Sequence, residues 1–154
     1  SRGLGDVYKR QRSINVIIWL VTFQLASRGA DYLSGNPKPG AGVFSTSDST
    51  PAMLWGVTCL AVAAAVTVGM VLKAPRVVCG LACVAACVYT SFGVLVFDDA
   101  IRDGLDDWRF FTSYMTAAGV WGVVAYELFM HISVMESREG DDGNRRTVGA
   151  TGND

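Results

Sequence analysis

Three windows of about twenty residues carry almost no charge, while charged residues crowd the stretches between them. The hydrocarbon core of a bilayer is about 30 Å thick, and a helix rising about 1.5 Å per residue needs about 20 apolar residues to cross it. Lipid offers no hydrogen bonds to a backbone, so a segment patterned this way has to satisfy its own N–H and C=O groups as a helix. With 51% hydrophobic residues in 154, the chain lies outside the usual soluble profile. The expected fold class is therefore all-α: an integral membrane, four-helix transmembrane bundle with a disordered C-terminal tail.

The spans are expected at about 14–33, 51–72, 75–97 and 108–135, within a membrane domain covering 12–136. The first is the weakest. Its apolar run Ile14–Ala26 is too short to cross alone, and extension to Leu33 draws Arg28 and Asp31 into the last turns. Long charged side chains at such a position reach toward the headgroups. A Gly/Pro/Ser/Thr loop follows at 34–50, with Thr50 placed to cap the next helix and Pro51 at its first position, where a missing N–H costs nothing. Spans two and three are joined across Lys73, Ala74, Pro75 and Arg76, a connection so short that the pair must be an antiparallel hairpin. Residues 98–107 form an acidic loop with five aspartates, and Asp106 or Asp107 is placed to cap the fourth span. Residues 137–154 are polar and aperiodic and are expected to be disordered.

Residues 1–11, SRGLGDVYKRQ, look like the translation of an adapter used in preparing sequencing libraries. They are set aside as non-native. The natural chain is then expected to begin near Arg12 and to come from environmental shotgun (metagenomic) DNA. Without Arg2, Lys9, Arg10 and Asp6, the 13 basic and 14 acidic residues become 10 and 13, a net charge of −3. No basic stripe suggests nucleic-acid binding. Near the span ends, Arg12, Lys73, Arg76, Arg138, Arg145 and Arg146 fall on one side, and Arg28, Lys38, Arg102 and Arg109 on the other. That bias puts both termini in the cytoplasm, in a bacterial cytoplasmic membrane. Tyr32, Trp55, Phe97 and Trp108 then fall near one membrane surface, the level aromatic rings prefer.

Cys79, Cys83 and Cys87 repeat every four residues within the third span. Thiolate metal sites favour close cysteine pairs with histidine, which these lack, so the stripe reads as helix packing by small side chains. Gly56, Cys59, Ala63 and Thr67 on the second span, and Ala118, Gly122 and Ala125 on the fourth, are expected to pack in the same way. Glu127 and His131, one turn apart, and Arg28 and Asp31, spaced to pair along a helix, are the candidate intramembrane polar residues. No catalytic motif, metal site or cofactor signature accompanies them.

The run Phe23–Leu33 (FQLASRGADYL), followed by a Gly/Pro loop and three further spans, resembles small four-span membrane proteins encoded by phages of actinobacteria. The resemblance implies a phage or prophage product in the host membrane, with Arg28 and Asp31 as the positions that carry over. Small multidrug exporters share the span count but keep a glutamate in the first span, which is missing here. Quinone-linked disulfide generators need cysteines toward the oxidising side, whereas Cys79 falls toward the other. The expected function is non-enzymatic, by helix association with the lipid bilayer and with further copies of the chain: holin-like lysis or superinfection exclusion. The alternative is a small transporter or channel subunit with a polar pathway through Arg28, Asp31, Glu127 or His131.

Overall fold

The computed structural model describes residues 2–34, 52–102 and 108–150, with side chains placed over 12–34, 53–97, 101 and 110–137. Four α-helices follow in chain order: α1 (Arg2–Leu33), α2 (Ala52–Val71), α3 (Pro75–Arg102) and α4 (Trp108–Ala150). The loop at 35–50, Pro51 with its cap at Thr50, and Gly104 and the other residues of 103–107 lie outside the described residues.

Three helical segments are long and apolar enough to cross a membrane: Met53–Val71, Pro75–Phe97 and Phe110–Ser137. Four were expected. Residues 14–33 of α1 fall short because Asn15, Gln24, Arg28 and Asp31 interrupt the apolar run. Two further boundaries differ from the sequence reading. Residues 98–102, expected within the acidic loop, extend α3, and the tail expected to be disordered continues α4 to Ala150. An existing helix adds a hydrogen bond with each residue and needs no new nucleus, so polar sequence beyond an apolar span can be carried along. The adapter-like residues from Arg2 extend α1 in the same way.

The short connection between α2 and α3 does fold as a hairpin. The Lys73 N–H donates to the Met70 carbonyl at 3.2 Å and the Ala74 N–H to the Gly69 carbonyl at 3.0 Å. This pair of bonds closes a helix whose terminal residue is left-handed, and Lys73 has φ = 52°. Pro75 then starts α3 at the one position where its ring is tolerated. A side chain in the left-handed region costs about 1 kcal/mol. Lys73→Gly is therefore expected to stabilise the chain by about 0.5–1 kcal/mol, read as resistance to SDS unfolding in mixed micelles. A loss of stability would contradict this account of the turn.

α3 and α4 share the most extensive interface and α1 and α2 the next, with α2·α3 smaller and α1·α4 smaller again. Successive helices therefore pack side by side around one core. That core includes Ile18 and Leu25 of α1, Val66 of α2, Val78, Ala82 and Ala85 of α3, and Trp121 and Val124 of α4. The outer surface is apolar as well. Phe23 is 73% exposed, Leu72 70% and Val123 63%, and Val16, Trp19 and Leu20 give α1 the same kind of outer face. Five hydroxyls on the helices are satisfied locally. Ser27, Thr58, Thr67, Thr90 and Ser91 each donate to the carbonyl four residues back, which lets them sit in an apolar setting without an orphaned donor.

Candidate functional site

At one end of the bundle the last turns of α1 meet the first turns of α4. Arg28 projects from α1 and donates from one guanidinium nitrogen to Tyr114 Oη at 2.9 Å and from the other to Ser113 Oγ at 3.1 Å. Its guanidinium carbon also lies 4.7 Å from the Tyr114 ring centroid, a cation–π distance. Tyr32, one turn after Arg28, shares a 2.7 Å hydrogen bond with Tyr114 through the two hydroxyls. One planar cation and three hydroxyls thus tie α1 to α4 across a narrow interface.

Aromatic rings form the floor of this cluster. Phe92 of α3 stacks on Tyr32 with centroids 5.6 Å apart and on Tyr114 at 5.3 Å, and meets Trp55 of α2 at 4.3 Å. Every helix contributes one ring or more. Tyr89, 1% exposed, approaches Tyr114 at 6.4 Å, and among the described residues its hydroxyl has no hydrogen-bond partner. Trp55 Nε1 is a second buried donor here without a partner among the described residues. Away from this cluster, Thr22 Oγ1 and Trp121 Nε1 are also buried without partners among the described residues. Phe97 and Phe111 meet at 5.2 Å, nearer the C-terminal end of α3 and the start of α4, so several rings collect at this end of the bundle.

The residues singled out from sequence fall into three groups. Arg28 and Asp31 do not pair with each other: among the described residues, Arg28 donates to Tyr114 and Ser113 of α4 and interacts with Tyr32, and Asp31 is exposed. An i, i+3 spacing puts two side chains near one another, but the Arg28 side chain finds better-shielded acceptors across the interface. Glu127 and His131 are both half-buried, and no hydrogen bond or ion pair between them is present among the described residues. Glu127 lies at a groove of about 460 Å³ between α1 and α4, along with Ile14, Ile17, Thr116, Gly119 and Val123. Among the described residues, no three His, Cys, Asp or Glu side chains come together to hold a metal.

The small residues divide by face. Gly56, Cys59, Ala63, Ala118 and Ala125 are buried, and Thr67 is half-buried. Cys79 is half-buried with its thiol 3.4 Å from the Ala125 carbonyl, whereas Cys83 and Cys87 are exposed. A four-residue step advances about 400° around a helix with 3.6 residues per turn, so each successive cysteine rotates about 40° further from α4. Gly122 faces outward, and a Cβ added there would meet nothing within 4 Å. Gly29, which sequence reading passed over, is the tightest point of the α1·α2 contact: a Cβ there would lie 2.9 Å from the Gly56 carbonyl oxygen and 2.7 Å from Leu60 Cγ. Ser113, Tyr114, Tyr89 and Phe92 were missed too. The available signal was that a tyrosine hydroxyl inside a span needs a partner.

At the opposite end, Arg76 of α3 donates to Glu136 of α4 at 2.6 Å, with both side chains more than half exposed. A pair so placed contributes about 0–1 kcal/mol. No family model matches this chain, and no match was found among curated proteins or solved structures.

Proposed function

We propose that the chain is a non-enzymatic phage or prophage membrane protein that acts by helix association in a bacterial cytoplasmic membrane, in holin-like lysis or superinfection exclusion. In this reading α1 is a fourth span. Its exposed Val16, Ile17, Trp19, Leu20 and Phe23 face lipid, while its charged Arg28 is held against α4. An even number of crossings puts both termini on one side, and Lys73 and Arg76 mark that side as cytoplasmic.

The observation that carries the reading is the set of outward-facing small residues. Gly80, Gly119 and Gly122 have open space where a side chain would be, and Cys83 and Cys87 share the outer surface of α3. A bilayer needs no small residues on a lipid-facing surface, but a second helix does, because small side chains let two backbones approach closely. The transporter or channel alternative draws on Arg28 and Glu127. It is less supported because Ile18, Leu25, Val66, Ala82 and Trp121 fill the core between the two ends.

Induced expression in a bacterial host is expected to arrest growth or lyse cells, or to block infection by a phage that otherwise plates. Gly122→Leu should abolish this phenotype and the cross-linked oligomer while leaving the single bundle as stable as before. Harmless accumulation at high level, with full phage sensitivity, is the result that sinks the proposal.

A further inference from the structure

The Arg28 cluster carries more hydrogen-bond donors than it can use internally. A guanidinium has five N–H groups, and Arg28 directs two hydrogen bonds, to Tyr114 and Ser113. The Ser113 hydroxyl accepts from Arg28 and keeps its own proton to donate. The Tyr32 and Tyr114 hydroxyls share one hydrogen bond, and among the described residues the Tyr89 hydroxyl, buried among the same rings, has no hydrogen-bond partner. Among the described residues no carboxylate lies within ion-pairing distance of Arg28. A cation with surplus donors, at the end of a bundle and only half-buried, is suited to receive an anion from outside the protein.

Depth selects the anion. Arg28 sits near the end of α1, and Ser113 and Tyr114 near the start of α4, where helices leave an apolar layer. Phosphate groups are the anions abundant at that level of a bilayer, and the planar guanidinium matches their oxygens in a bidentate fork. We infer that Arg28 and Ser113, backed by Tyr114 and Tyr32, form a phosphate-group site that takes the headgroup of a phospholipid. The inference rests on α1 lying in the membrane and does not depend on self-association. The tyrosines keep the guanidinium in place, so little freedom is left to lose when the phosphate binds.

The test uses the full chain in dodecyl maltoside without phosphate, followed by thermal unfolding and by native mass spectrometry. Three probes are titrated: dioleoyl phosphatidylglycerol, dioleoylglycerol with the same acyl chains, and inorganic phosphate. Phosphatidylglycerol is expected to raise Tm saturably and to remain bound, and dioleoylglycerol to do neither. A response to inorganic phosphate as well would place the recognition in the phosphate alone, and its absence would assign it to the lipid. Arg28→Gln should weaken the phosphatidylglycerol response by at least about tenfold, the loss of a charge-assisted hydrogen bond. Arg28→Lys should weaken it less, and Arg12→Gln should not change it. Equal responses to phosphatidylglycerol and dioleoylglycerol overturn the site, as does an equal loss in Arg12→Gln. The wild-type comparison needs no variant, so the proposal can fail even if Arg28→Gln does not fold.

Discussion

Replacing Gly29 with valine is expected to separate α1 from α2. Any side chain there begins 2.9 Å from the Gly56 carbonyl oxygen and 3.0 Å from the Leu60 nitrogen. Both are backbone atoms that no rotamer change can move, and from the other side Gly56 would place a Cβ 3.0 Å from the Gly29 carbonyl oxygen. Overpacking a well-filled contact costs about 1–3 kcal/mol. Gly29→Ala should fall in that range, with Gly29→Val and Gly56→Val beyond it. The comparison that isolates the effect is Gly80→Ala, Gly119→Ala and Gly122→Ala. Open space surrounds those positions, and alanine favours helix over glycine by up to about 1 kcal/mol. SDS titration in mixed micelles measures the stabilities, and cysteine cross-links between α1 and α2 report separation. Equal behaviour of Gly29→Ala and Gly119→Ala would show that α1 and α2 do not cross here.

The second large effect is expected at Phe92. Its ring is 1% exposed and in contact with Tyr32, Trp55 and Tyr114, one from each of the other helices. Truncation to alanine removes three aromatic pairs, each worth about 0.5–1.5 kcal/mol beyond the area buried, and leaves a cavity that four helices cannot easily collapse to fill. Buried Phe→Ala changes cost about 3–5 kcal/mol. Phe92→Ala should lose that much in the same SDS titration, and Phe92→Leu, which keeps most of the volume, about half. The Trp55 emission should also shift as the ring tilted against it at 4.3 Å disappears. A cost below about 1 kcal/mol would mean that the aromatic floor does not join the helices. Phe97→Ala serves as the reference, since Phe97 is 38% exposed and meets Phe111 alone among the described aromatic rings.

Hydropathy alone located α2, α3 and the start of α4, because a helix surrounded by lipid must be apolar along its whole crossing and charge is excluded from it. The turn at Lys73 to Arg76 was legible for a similarly local reason: its few residues permit one geometry. Pairing was another matter. α2 is apolar on every side, so no amphipathic stripe marks its inward face, and the usual rule that apolar residues point inward has no force in lipid. Small-residue spacing located Gly56, Cys59 and Ala63, but it gave the same weight to Cys83, Cys87 and Gly122, which face outward. Sequence reading also paired Arg28 with Asp31 because they are neighbours on one helix. Its partner Tyr114 lies 86 residues away, and only the docking of α1 on α4 brings the two together. Local composition determined which segments form helices suited to lipid. Which faces meet, where Gly29 crosses Gly56, and where the charge of Arg28 goes were decided by close packing among four helices, which depends on shape at positions hydropathy treats alike.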